Sequence, residues 1–139
     1  MKMRIIPVVR ALVVKDDKIL LGKREMNDGF LPGYWTIPGG KVEPGERLLN
    51  ALKREMKEET NLDVERAELV KVDEQFHDDH HHIIFYFRTH VSGNPKPGSE
   101  LDDISWFRGS ELENLEMLER DKKLISGLLE VLLKGRDNY

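Results

Sequence analysis

Between residues 46 and 60 the apolar side chains of this chain recur three and four positions apart, and on both sides of that stretch they recur every second position. Leu48, Leu49, Leu52 and Met56 fall on one stripe of a helix. Asn61 follows, a residue that tolerates the left-handed conformation in which helices end. A chain whose period switches in this way must fold as strands, then a helix, then strands. Before the helix, residues 5–14 read as a strand, Asp16-Asp17 as a turn and 18–23 as the second arm of a hairpin. Residues 26–33 are a loop, and 35–37 a short extended piece stopped by Pro38-Gly39-Gly40. After it, 62–76 is extended. Residues 80–91 alternate, with His81, Ile83, Phe85, Phe87, Thr89 and Val91 on one firmly apolar face. Residues 93–99 form a Pro/Gly loop and 104–107 a short strand. Ser110 with Glu113 suggests a capping box, and a closing helix runs through Leu124, Leu128, Val131 and Leu132. The expectation is a mixed sheet with helices packed on it, of the α/β or α+β kind, in one domain spanning residues 1–139.

Composition narrows the function. Charged residues make up 35% of the 139, against a usual value of about 25%, yet the two signs nearly cancel to a net −4. No basic block is present, which argues against duplex nucleic acid as a partner. No apolar run approaches the roughly 18 residues of a membrane span, and the first 14 residues read as a strand rather than a signal peptide. The expected location is therefore the cytoplasm, with no membrane partner. With no cysteine there is no disulfide, thiolate metal site or thiol nucleophile. An acidic protein that acted on phosphates would need metal ions to bridge the like charges.

The helix carries such a possibility. Glu55, Glu58 and Glu59 project from one side of its last two turns, beside the apolar stripe. Like charges at these spacings cost a helix roughly 0.2–0.5 kcal/mol per pair, and acidic groups in a last turn oppose the helix dipole. A divalent cation among the carboxylates reverses both penalties, since hard cations take several oxygen ligands. A solvated face with Lys53, Arg54 and Lys57 as partners is the alternative for the helix taken alone. Pro38-Gly39-Gly40 ahead of it allows a sharp turn and close approach to a ligand, with a freed carbonyl as a further metal ligand. Gly45-Glu46 would start the helix with a carboxylate at its positive end.

Taken together, Gly40, Glu46, Arg54, Glu55, Glu58, Glu59 and Leu62 resemble, in identity and spacing, the Nudix box of the Nudix hydrolase superfamily. Met56 fills an aliphatic slot. Asn61 stands where the family usually has Gly, and Asn is the next best residue for a left-handed helix end. The resemblance continues outside the box. The stretch Tyr34-Trp35-Thr36-Ile37-Pro38-Gly39-Gly40 looks like the approach strand of MutT-like members. Trp106-Phe107 and Ser110-Glu111-Leu112 look like the late strand and last helix.

The resemblance implies a Nudix α/β/α sandwich with a mixed central sheet and magnesium, or manganese, on the box helix. It assigns Gly39, Glu55, Glu58, Glu59 and Glu100 to the metal, with Glu59 the firmest. A solvated loop charge is the equal alternative for Glu100. Glu55 and Glu58 share metal binding and water activation. Arg54 orients Glu55 through a charge-assisted hydrogen bond, and Glu46 supports the cluster from behind. Water would attack one phosphorus in line, with an activity optimum on the alkaline side where the base is ionised.

The substrate expected is a small nucleotide, first a nucleoside triphosphate cut to monophosphate and pyrophosphate. ADP-ribose or another nucleoside diphosphate sugar is the second choice. A non-catalytic nucleotide-binding module is the rival class, disfavoured because all three box carboxylates are present. Gly40, Tyr34, Phe76 and Tyr86 are the candidates for contacting substrate. His77, His80, His81 and His82 read as solvent-exposed imidazoles at a hairpin tip, with alternation sending His80 and His82 away from His81. Arg4 and Arg10 could reach phosphate or be edge charges, and edge charges are the preferred reading. The last helix reads as core packing, in a monomer or homodimer.

Overall fold

The computed structural model describes residues 2–137. In chain order these form β1 (Arg4–Leu12), β2 (Val14–Lys15), β3 (Lys18–Arg24), β4 (Trp35–Thr36), β5 (Gly39–Lys41), α1 (Leu48–Thr60), β6 (Asp63–His77), β7 (His80–Ser92) and β8 (Leu101–Arg108). A 3-10 turn (Gly109–Asn114) and α2 (Glu119–Asp137) complete them.

β1 is an interior strand. It pairs antiparallel with β5 and parallel with β7, in a mixed sheet of order β5-β1-β7-β6. A strand covered on both faces must be apolar on both, and this one is. Ile6, Val8 and Leu12 point with Ile84 and Tyr86 toward Ile125, Leu129 and Leu132 of α2. Val9 and Ala11 point with Phe87 toward Ala51, Leu52 and Met56 of α1. One helix on each side of the sheet gives the expected α/β/α sandwich. A second, antiparallel sheet is built around β3, which pairs with β2, β4 and β8.

Several local readings change. β7 has two apolar faces rather than one, because it too lies inside the sheet, and Ile84 and Tyr86 meet α2. Helix α1 begins at Leu48, with Arg47 as N-cap and no acidic residue in its first turn, so Glu46 precedes the helix instead of starting it. Leu49 is exposed and Ala51 takes its place on the buried stripe. β8 is twice the expected length. The reciprocal cap lies at Arg108, whose N–H donates to Glu111 at 2.8 Å, not at Ser110 and Glu113. On α2, Val131 faces outward while Ile125, Leu129 and Leu132 face the core.

The end of α1 matters most for the site. Asn61 adopts φ 61°, the left-handed cap its identity suggests. The last carbonyls of the helix, which have no partners within it, are met by the following loop. Ser99, Gly98 and Lys96 donate their N–H groups to the carbonyls of Glu58, Glu59 and Thr60 at 3.0, 2.7 and 2.9 Å. These donors offset the negative end of the helix dipole, which lets acidic side chains stand in the last turns.

Candidate active site

The carboxylates of α1 are pressed against β5 by the glycine pair. Gly39 has φ 148°, and a Cβ there would lie 2.0 Å from the Val9 carbonyl oxygen. A Cβ on Gly40 would lie 2.5 Å from the Glu55 carboxylate. Only hydrogen side chains leave this room. Gly39 uses its N–H to donate to Glu59 Oε1 at 2.9 Å. Glu59 is 4% exposed, and burial pushes its carboxyl up to about 7, against the pull of the Gly39 N–H and the Arg10 cation. Glu55 is also raised by burial, against the hydrogen bond and charge of Arg54. Glu58 is half exposed.

Arg54 ties the cluster to the preceding loop. Its Nε and Nη2 donate to the two oxygens of Glu46 at 2.8 and 2.9 Å, a bidentate pair. Its Nη1 donates to Glu55 at 2.9 Å and to Glu58 at 3.3 Å, and its Nη2 also reaches the Lys41 carbonyl at 3.0 Å. Glu46, held by Arg54 and by the Glu43 N–H, is pushed down to about 2. Glu46 thus remains an anion that aims a guanidinium at Glu55.

This donor set fits a hard divalent cation. Glu55 and Glu59 repel each other, and their charged forms are penalised by burial, so a bound cation relieves both costs. Among the described residues no three His, Cys, Asp or Glu side chains converge as a ready metal cage. Magnesium needs no such cage. It uses one or two carboxylates and completes its shell with water and substrate phosphate.

The cluster forms one wall of a cavity of about 560 Å³, where Gly39, Gly40, Glu55 and Glu59 are joined by Glu100. Glu100 is exposed, with its carboxylate 3.8 Å from Arg24 Nη2. Glu58 does not line the cavity. Four cations do: Arg10, Arg24, Lys41 and Arg120. Arg10 is therefore no edge charge. It stands on the interior strand β1 and donates to the Ile37 carbonyl at 3.2 Å. Arg24 is held by Asp28, and Asp28 in turn accepts from the N–H groups of Phe30 and Leu31, which shapes the loop.

Of the residues expected to contact substrate, Gly40 lines this cavity and Tyr34 and Phe76 do not. Phe76 stacks on His81 at 4.3 Å on the other side of the β6–β7 hairpin. Tyr86 lines a small adjoining cavity of about 50 Å³ instead. The histidine tip is corrected as well. His77, His80 and His82 line the main cavity, while His81 faces away and meets Glu74 at 2.8 Å. The missed residues had a weak signal. Arg10 is a charge within an apolar strand, and alternation already placed His80 and His82 on one side.

The NUDIX domain family model matches residues 5–128. The chain is 31% identical over 136 residues to a nucleoside triphosphatase, NudI, from Salmonella arizonae, covering 88% of this chain and 96% of that protein. A MutT NUDIX hydrolase structure from Burkholderia pseudomallei superposes with a TM-score of 0.71 at 29% identity, covering 77% of this chain and 85% of that one. A MutT protein structure from Methanosarcina mazei reaches 0.81 at 24% identity, covering 96% and 99%, and shares the fold.

Proposed function

The chain belongs to the NUDIX domain family of hydrolases, and from that premise we propose that it cuts nucleoside triphosphates to nucleoside monophosphate and pyrophosphate, using magnesium or manganese. One observation carries the reading. A single cavity sets two carboxylates, the buried Glu59 and the part-buried Glu55, against four cationic side chains. That arrangement complements a polyphosphate bridged to a divalent cation. The likeness to a nucleoside triphosphatase over most of both chains supports the triphosphate as substrate.

Glu59 and the Gly39 carbonyl would hold the cation, which would neutralise the phosphates and polarise a phosphoryl oxygen. Arg10, Arg24 and Lys41 orient the phosphate chain by charge. Glu55, aimed by Arg54 and raised by burial, takes the proton as water attacks phosphorus. One oxygen–phosphorus bond forms, the bridging oxygen–phosphorus bond breaks, and pyrophosphate leaves with the electron pair. A base with a raised pKa is better matched to this role near neutral pH. Activity should rise toward alkaline pH as the carboxylates lose their protons.

The test is product analysis. Purified protein with magnesium is offered a panel of nucleoside triphosphates, ADP-ribose and dinucleoside polyphosphates. Monophosphate and pyrophosphate in equal amounts from triphosphates support the reading. Release of single phosphates, or turnover of ADP-ribose alone, contradicts it.

A further inference from the structure

The mixed sheet ends at β6, which among the described residues pairs with β7 on one side and with no strand on the other. An edge as long as Asp63–His77 offers a row of backbone N–H and C=O groups to another chain. Folded proteins either blunt such an edge or use it. In the middle of this one, Leu69, Val70 and Val72 stand in water, 52%, 36% and 48% exposed. The strand is also bulged there, since its ladder to β7 skips Val70, as it skips Glu65 nearer the start.

The bulge decides which side chains share a face. In an uninterrupted strand Glu68 and Lys71 would point to opposite sides. With Val70 skipped, both lie on the α2 side of the sheet, Glu68 opposite Arg88 and Lys71 opposite Tyr86. Arg66, opposite His90, and Asp73, opposite Ile84, lie there too. Along the edge that face reads plus, minus, plus, minus, and read backwards every sign inverts. The α1 side carries Ala67, Leu69 and Val72, opposite Thr89, Phe87 and Phe85, and is apolar in either direction. Arg66 and Glu68 touch each other at 3.2 Å while staying largely exposed, so both remain within reach of a facing strand.

We propose that β6 is a dimerisation edge, at which two copies of this chain pair antiparallel through residues 66–73 about a two-fold axis between Leu69 and Val70. In that register Arg66 faces the partner's Asp73 and Glu68 faces the partner's Lys71, each pair occurring twice by symmetry. On the other side Ala67 faces the partner's Val72, with Leu69 of both copies beside the axis. The two bulges meet at the axis, so the strands keep equal residue counts across it. A slip of two residues opposes Glu68 to Asp73 in one direction and Arg66 to Lys71 in the other, like charges that a sheet disfavours. This inverted symmetry of charge selects a second copy over an unrelated strand. Eight residues of paired strand make a contact at the small end of the specific range, below about 1,200 Å² in total, so the dimer is a reversible one. None of residues 66–73 lines the catalytic cavity, which stays open in the dimer.

Sedimentation velocity on the full chain, at protein concentrations from about 1 to 300 µM, tests the pairing. The wild type should pass from monomer to dimer across that range. Lys71→Glu sets two like-charged pairs in the interface and should weaken the dimer at least about tenfold. Glu68→Lys should do the same. The double variant Glu68→Lys/Lys71→Glu restores opposite charges in reversed order and should recover most of the lost affinity. That recovery separates a broken interface from a misfolded chain, and all the substituted positions are exposed. Val72→Lys, which puts charge on the apolar side, should leave a monomer. A wild type that stays monomeric throughout overturns the inference, leaving the edge to another partner or to none. So does a dimer that none of the single variants weakens, or a double variant no better than the worse single one.

Discussion

At the carboxylate of Glu59, burial opposes ionisation, while the Gly39 N–H and the Arg10 charge favour it. Burial wins, and the group is pushed up to about 7. The sign of the consequence follows from proton counting. Between the ordinary carboxylate range and pH 7 the folded state holds a proton that the unfolded state has lost, so raising the pH through this window destabilises the metal-free protein. The full effect is on the order of 3 kcal/mol. Stability of the metal-free protein, measured in denaturant at pH 5, 6, 7 and 8, should therefore fall as pH rises. Glu59→Gln should reduce that slope, and magnesium should restore more stability at pH 8 than at pH 5. A slope unchanged by Glu59→Gln would show that the carboxylate is not desolvated as described. This residue was legible early, because its spacing from Glu55 and Glu58 is contained within one helix. Its burial was not, since that depends on a glycine pair twenty residues away.

Helix α1 is the element on which the site depends, and local signals describe it well. The 3.6-residue period and the left-handed Asn61 were readable because both are decided by neighbours in sequence. The start was misplaced by two residues because Glu46 resembles a helix-initiating acid, whereas its carboxylate is engaged by Arg54. Asn61 holds φ 61° and its side chain donates to the Lys96 carbonyl at 3.0 Å. Asn61→Ala loses that hydrogen bond and leaves in the left-handed region a Cβ without the polar side chain that eases it there, at a cost of roughly 1–3 kcal/mol. Asn61→Gly removes the steric cost and should be the milder change. Urea melts of the two variants make the comparison, and equal losses would contradict the assignment. The β6–β7 hairpin was harder to read. Its imidazoles read as a solvated tip because nothing in the local pattern shows that His77, His80 and His82 turn toward β1 and α2.

At the scale of the molecule, the sheet divides the core into two apolar clusters, one under each helix. The mixed sheet and flanking helices could be anticipated from alternating periods. The second buried face of β7 could not, since long-range pairing decides it. Leu52 and Ile125 are fully buried, one in each cluster. Truncating either to Ala should cost about 2–5 kcal/mol. Because the two clusters share β1 and β7, we expect one unfolding transition for residues 1–139, with both variants shifting it as a unit. Two separable transitions would contradict a single domain. The clusters differ in what else they support. Leu52→Ala lies beneath the box carboxylates and should also lower kcat, while Ile125→Ala should leave kcat near wild type at temperatures where it remains folded.

The acidic wall of the cavity comes from one helix, one glycine pair and Glu100 ahead of β8, and the remaining walls come from β1, β3 and the loop after it, the β6–β7 hairpin and α2. In the proposed reaction the acidic wall carries a cation that drives hydrolysis. The most direct measurement titrates magnesium into wild-type and Glu59→Gln protein at pH 8 while following pyrophosphate release from a nucleoside triphosphate. The wild type should show a saturable rise from a negligible rate without metal, and the variant a loss of at least about a hundredfold. Pyrophosphate release that needs no divalent cation, or that survives Glu59→Gln at the wild-type rate, would contradict it.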